Sequence, residues 1–207
     1  FLSVEEPEEI AKQIISLCNN ELRHEFGNPL VNVQVLSPMH RGPIGVTNLN
    51  AELQKVLNPP RRDKKEIKSG NNIFREGDKV MQIVNNYKKQ VFNGDLGLID
   101  EIDPEDKVLG VELLGDGRVE FYEFEELNEL TLAYACTIHK SQGSEYRAVV
   151  IPVSVQHYIM LQRNLLYTAV TRAEEKVVLV GTHRALHIAI NNDKVSRRNT
   201  KLKERII

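Results

Sequence analysis

Cysteine is scarce in this sequence: Cys18 and Cys136 are the only two among 207 residues. Two thiols so far apart exclude a disulfide framework and a zinc ribbon. A reducing cytosol is then the default, and a cytoplasmic protein is expected. An excess of one charge is also lacking. Lys and Arg total 27 against 29 Asp and Glu, a formal net charge of -2. No global basic field marks a nucleic-acid binder, so any such role must rest on local patches. No apolar run reaches membrane-spanning length, and no charged-then-apolar leader opens the chain, so no membrane partner is expected. Nucleotide-cradling motifs are missing too. There is no G-x-x-x-x-G-K-[ST] and no G-x-G-x-x-G, hence no P-loop or dinucleotide turn whose backbone amides would hold phosphates. No H-E-x-x-H or C-x-x-C occurs, and no metal site is expected. The chain begins at Phe1 rather than Met, as expected of a piece of something longer.

What is present is ordinary globular material, 41% apolar and 27% charged. Residues 7–25 place Ile10, Ile14, Leu17, Cys18 and Leu22 at helical spacing, with Pro7 suited to a first turn and Gly27 to a stop. Residues 31–36 read as a short strand. The loop Met39-His40-Arg41-Gly42 follows, and then a helix with Thr47 as its expected N-cap. Residues 61–70 are polar and mostly basic, and read as a linker or mobile loop. From Ile73 the texture changes to short strands near 79–84, 96–102, 108–114 and 118–124. Asn93-Gly94 and Gly115-Asp116-Gly117 supply turn signals, which argues for a small β-barrel. After Leu130 the α/β texture returns. Residues 131–137 and 148–153 read as buried strands, 161–171 as a helix, 176–180 as a strand and 182–190 as a closing helix. A basic tail follows, with Lys194, Arg197, Arg198, Lys201, Lys203 and Arg205. The expected architecture is an α/β parallel sheet flanked by helices, interrupted by the barrel. Residues 1–70 and 130–207 would form one discontinuous domain, and 71–129 the insertion.

Two segments carry candidate chemistry. Residues 137–146 pack a lysine, an imidazole, hydroxyls and an amide around Gly143, between two apolar strands. That set suits phosphate and sugar contacts at the end of a parallel strand; it also suits a plain polar turn. In residues 165–173, Arg172 ends an apolar helix just before a core strand. An arginine there serves either as a salt-bridge partner or as a rigid fork for a transferring phosphoryl group. Cys18 and Cys136 read as core thiols.

The string LAYACTIHKSQGSEY followed by RNLLYTAVTRA resembles motifs V and VI of superfamily 1 DNA helicases, most of all the RecD-like, exodeoxyribonuclease V alpha-subunit family. VQVLSPMHRGPIGVTNLNAELQKVLNP resembles the DNA-facing opening of that family's second RecA-like domain. FREGDKVMQIVNNYKKQVFNGDLGLIDEID resembles its SH3-like barrel insertion. The resemblance covers nearly the whole chain up to Gly181. It implies ATP hydrolysis coupled to 5′-to-3′ movement along single-stranded DNA and to duplex separation in recombination or repair. It implies ATP and Mg2+ bound mainly by a missing N-terminal motor domain of the same parent, and it leaves open whether the parent works alone or with other subunits of a nuclease-helicase complex. By match to the family's motifs, Arg172 would be the arginine finger. Gly143, Glu145 and Gln142 would lie near the nucleotide. Ser37, His40, Arg41, Thr137, His139, Lys140 and Ser141 would face DNA. Tyr167 and Thr168 would link Arg172 to that face, and Asn86, Tyr87 and Asn93 would touch DNA from the barrel. A non-catalytic nucleic-acid-binding or partner-docking module, and the helicase half of a mobilisation relaxase, remain the alternatives.

Overall fold

A computed structural model describes residues 1–193; the basic tail noted above lies outside the described residues. The chain opens with β1 (Leu2–Ser3), α1 (Pro7–Asn19), α2 (Glu21–Phe26), α3 (Pro29–Asn32), β2 (Val33–Ser37) and α4 (Val46–Leu57). A hairpin follows, β3 (Glu66–Ser69) and β4 (Asn72–Arg75). Next come β5 (Lys79–Gln82), β6 (Leu96–Asp103), β7 (Val108–Leu113), β8 (Val119–Glu123) and β9 (Leu130–Leu132). The chain then returns with β10 (Ala135–Thr137), β11 (Tyr146–Val153), α5 (Arg163–Val170), β12 (Ala173–Gly181) and α6 (His183–Asn191). No described helix is long and apolar enough to cross a membrane.

Strands from both flanks of the barrel share one parallel sheet in the order β1-β12-β11-β2-β10. The apolar run 148–153 is buried on both faces, because helices cover both sides. On one face α1 sets Ile10, Ile14 and Leu17 into the core together with Leu49 and Leu53 of α4. On the other face lie Leu165 and Ala169 of α5 and Ala185 of α6. The barrel strands form an antiparallel sheet in the order β8-β7-β6-β5-β9. One apolar cluster runs without a break from α1 and α4 into the barrel, where it takes in Val80, Ile99, Val111 and Tyr122. The insertion therefore shares a core with its host, as a unit too small to bury enough surface alone must.

Several local readings change. Residues 7–25 are two helices, since Asn20 leaves helical geometry and its amide closes on the Ser16 carbonyl. Gly45, not Thr47, is the N-cap of α4. Residues 66–75 pair as a hairpin where the basic composition reads as a loop. The apolar string 131–137 divides between two sheets: Leu132 pairs with Val80 of the barrel, and Ala135 with Val35 of the parallel sheet. Apolar periodicity cannot register that switch, because both halves are buried.

Buried polar side chains hold the switch in place. Asn50 of α4 donates to the carbonyls of Leu132 (3.0 Å) and Ala135 (2.9 Å), and accepts from the Ala135 amide (2.8 Å). Asp78 stands just before β5. Its Oδ1 accepts from Asn58 (2.6 Å) and Tyr134 (2.7 Å), and its Oδ2 from Gln54 (2.5 Å) and the Arg75 amide (2.7 Å). Four donors meet one acceptor-only group, so the carboxylate form is the one this site satisfies. Burial pushes the Asp78 carboxyl up, and these bonds pull it back. The neighbouring Lys79 is fully buried and donates to the Gln34 side chain (2.8 Å) and the Val33 carbonyl (3.3 Å), with no carboxylate partner among the described residues. Burial brings its ammonium down to about 8.

Two outcomes follow for stability. Asp78→Asn keeps the shape but aims an amide donor at two donors, and Asp78→Ala leaves four donors unpaired. Each is expected to cost about 3 kcal/mol or more in urea unfolding; a loss below about 1 kcal/mol contradicts the hub. Lys79 binds its proton less tightly folded than unfolded, so its burial cost is fully present below about pH 8. That cost is relieved as pH rises towards the ordinary lysine value of 10.5. The stability difference between wild type and Lys79→Met should therefore rise from about pH 8 to pH 9. A flat difference overturns the assignment.

Candidate functional site

The chemistry of this molecule gathers on one crossover. From β10 the chain must reach parallel β11, passing over β2. Register places Thr137 level with Ser37, and Ala148 level with Val33. The crossover thus returns at least four residues of strand length, roughly 13 Å, from the carboxyl to the amino end of the sheet. It does so through a 3-10 turn, Ile138–Ser141, followed by residues 142–145. The Thr137 side chain caps that turn at the Lys140 amide. The Ser141 hydroxyl closes on the Ile138 carbonyl at 2.8 Å. Gly143 takes φ of 90°, a left-handed conformation that a side chain would strain.

Arg172 stands at the amino end of β12, beside the end of the crossover; its carbonyl accepts from the Tyr146 amide at 2.9 Å. The guanidinium donates to the carbonyls of Thr168 (3.3 Å) and Ser144 (3.2 Å). Among the described residues no carboxylate pairs with it, so of the two readings of this arginine the closed salt bridge is not the one observed. Two carbonyls and, more distantly, the Thr171 hydroxyl (3.5 Å) hold it, all neutral acceptors that an anionic one can displace. Gln142, Gly143 and Glu145 are all exposed nearby in sequence, and Glu145 shares with Ser144 the wall of a second groove, against the barrel.

At the other end of the crossover, Thr137, Lys140 and His40 line a groove between the sheet edge, α4 and the barrel. His139 and Arg41 are exposed. The loop that carries His40 and Arg41 is tied down. The Ser37 hydroxyl donates to the Ile44 carbonyl at 2.7 Å, and Gly45 packs so closely that a Cβ would lie 2.4 Å from the Arg41 carbonyl oxygen. Lys140 bonds Asn93 of the barrel turn at 2.5 Å. Tyr87 is 75% exposed and meets Phe92 edge-on at 6.0 Å. Tyr167 is 70% exposed on α5, while the Thr168 hydroxyl bonds back to the Asn164 carbonyl.

Three of the expected DNA-facing side chains are turned inward. Ser37 and Ser141 are fully buried, with their hydroxyls spent on neighbouring carbonyls. The Asn86 amide donates to Glu129 and accepts from the Lys89 amide. All three shape loops rather than present a polar group, because a short side chain in a tight loop finds backbone partners first. Three barrel acids are engaged similarly: Glu120 pairs with Arg118, Glu126 with Lys89, and Glu129 accepts from Gln82 and Asn86. Both thiols are buried and pushed up to about 12 by desolvation, which fits core packing. Among the described residues, no group of three or more His, Cys, Asp or Glu is placed to hold a metal ion. Sequence reasoning missed Phe92 and the β3–β4 hairpin; exposed apolar residues beside Asn-Gly and Gly-Asn turns were the available signal.

Residues 49–113 match the model of the ATP-dependent RecD-like DNA helicase SH3 domain, and residues 132–180 that of the UvrD-like helicase C-terminal domain. The ATP-dependent RecD2 DNA helicase of Deinococcus radiodurans is 40% identical over 182 residues, 88% of this chain and 24% of that protein. The RecBCD enzyme subunit RecD of Mycolicibacterium smegmatis is 30% identical over 84% of this chain and 29% of its own length. The chain thus spans less than a third of these two relatives. Among solved structures, a Bacteroides Pif1 helicase in complex with ADP-AlF3 and ssDNA has a TM-score of 0.53 at 21% identity, covering 86% of this chain and 50% of that one. That likeness supports the fold.

Proposed function

This chain carries a RecD-like helicase SH3 domain and a UvrD-like helicase C-terminal domain, and on that premise we propose that it is the second motor half of an ATP-dependent DNA helicase that moves 5′ to 3′ on single-stranded DNA. The observation that carries the reading is the placement of Arg172. A guanidinium without a carboxylate partner among the described residues sits at one end of a crossover whose other end, 137–140, opens on a groove. A fork so placed suits charge developing on a transferred phosphoryl group, and a finger of this kind is worth roughly 10³ to 10⁵ in rate.

Glu145 and Gly143 would place the nucleotide's sugar side, with Gln142 beside them. ATP and Mg2+ would be held mainly by an N-terminal motor domain of the parent, and they supply the phosphoryl group and its charge neutralisation. The residues present fit the complementary share: a cation and a carboxylate on one edge, with no P-loop. His40, Arg41, Thr137, His139 and Lys140 would meet the strand on the sheet side, Asn93 and Tyr87 on the barrel side, with Tyr167 and Thr168 between Arg172 and that face. Ser37, Ser141 and Asn86 act as positioning residues for those loops. Backbone-directed contacts of this kind suit a motor that passes any sequence. Relatives named as RecBCD subunits favour a nuclease-helicase assembly as one setting, in a reducing cytoplasm.

Arg172→Ala in the parent protein should lower ATP turnover by 10³-fold or more, while single-stranded DNA affinity stays within a few-fold. The chain by itself should hydrolyse no ATP. Unchanged turnover in Arg172→Ala favours a docking module that merely shares the fold. Steady turnover by the isolated chain removes the half-site reading.

A further inference from the structure

One face of the barrel sheet is open, partly apolar and acidic. Register on β6, β7 and β8 lines up Leu98 with Val119 through Glu112, and Glu101 with Phe121 through Gly110. Their neighbours Ile99, Val111 and Tyr122 fill the barrel core, so by strand alternation these six residues point away from it. Phe121 is 48% exposed and Val119 39%. A Cβ on Gly110 would lie 3.3 Å from Cε1 of Phe121, so the ring leans over that glycine. Large apolar side chains that adjoin on an open sheet face, rimmed by polar groups, mark a contact surface.

The chemistry of that face selects its occupant. Neither Glu101 nor Glu112 has an ion pair among the described residues. No Lys or Arg stands on this face of the three strands. Such a field repels a phosphodiester chain and attracts a basic one. Strand addition is closed off, although β8 is an edge. Lys89 donates to the Phe121 carbonyl at 2.7 Å, and Arg118 to the carbonyls of Lys89 and Gln90, so residues 89–90 block that edge. An occupant must therefore sit on the face and carry cations with apolar residues among them. The chain itself has such a segment. Residues 194–207, outside the described residues, hold Lys194, Arg197, Arg198, Lys201, Lys203 and Arg205 against Glu204 alone, with Leu202, Ile206 and Ile207 among them. They follow α6, whose Ala185 shares an apolar cluster with Met81 of β5, and Leu96 of β6 packs against that cluster. Leu96 and Leu98 are two apart on one strand, so the outer barrel face begins on the side of the molecule where α6 lies. Residues 194–207 extend to roughly 46 Å, against a radius of gyration of roughly 16 Å for a domain of about 200 residues.

We propose that residues 194–207 dock within the same chain on the outer face of β6, β7 and β8, with their apolar residues against Phe121 and Val119 and their lysines and arginines towards Glu101 and Glu112. The contact straps the barrel to the parallel-sheet domain from outside. Exposed ion pairs contribute little each and are screened by salt, so the apolar contact supplies most of the hold. A segment tethered to its own site meets it at high effective concentration, so a weak contact is enough to fill it.

Trypsin cleavage of the full chain, followed by mass spectrometry, tests this at the lysines and arginines of the segment. Cleavage of a segment that docks and undocks rapidly tracks its free fraction. In wild type the segment should be cut roughly 10-fold or more slowly than a synthetic peptide of residues 194–207. Phe121→Ser should bring the rate close to that of the peptide. Glu101→Gln combined with Glu112→Gln should speed cleavage as well, by removing charge instead of apolar contact. All three are exposed positions, and thermal melts check that each variant stays folded. Wild-type cleavage as fast as that of the peptide overturns the docking. Protection that vanishes on dilution, together with a dimer in sedimentation, gives the face to a second copy and overturns docking within one chain. Protection that appears only with added oligo-dT and ignores Phe121→Ser gives the segment to nucleic acid, and overturns it too.

Discussion

Everything in this molecule depends on how a barrel of five short strands is fastened to a parallel sheet. The chain crosses between the two twice, once just before β5 and once between β9 and β10, and a buried polar group guards each crossing. Asp78 gathers donors from α4, from Arg75 and from Tyr134; Asn50 clamps the backbone on both sides of the second crossing. Buried hydrogen bonds of this kind contribute modestly when made and cost much when broken. They therefore specify one docking geometry more than they add stability. The apolar cluster common to both units supplies the stability.

That fixed geometry gives the crossover its meaning. Residues 138–145 touch the barrel at both ends: Lys140 bonds Asn93, and Ser144 and Glu145 face the groove shared with Asp95 and Arg118. Arg172 reaches the same crossover through the Ser144 carbonyl. Arg172 is thus hydrogen-bonded to a segment whose far end lines the apolar groove. Coupling between sites needs a physically continuous element of this sort, biased from both ends. Here it is short, and it is held by hydrogen bonds that a ligand can replace.

The sequence carried the fold class well, because the parallel strands are unbroken apolar runs and the barrel strands come with Gly turns. It could not reveal the split of 131–137 between two sheets, since Leu132 and Ala135 are buried alike. Nor could it find the hairpin at 66–75, whose Lys, Glu and Asn residues carry little strand propensity. For the site, motif strings pointed to Arg172, Lys140 and His40, which lie at positions able to meet a ligand. They also pointed to Ser37, Ser141 and Asn86, where residue type suggested contact and loop geometry turned the side chains inward. The groove itself was out of reach of sequence reasoning, because its walls come from segments far apart in the chain.

The central claim is that Arg172 and the groove are two ends of one element. The most direct measurement is the single-stranded DNA affinity of the parent protein with and without a non-hydrolysable ATP analogue, in wild type and in Arg172→Ala. The account predicts that nucleotide shifts the affinity in wild type and that the shift shrinks towards none in Arg172→Ala, with nucleotide still bound. The same shift in both proteins would contradict it.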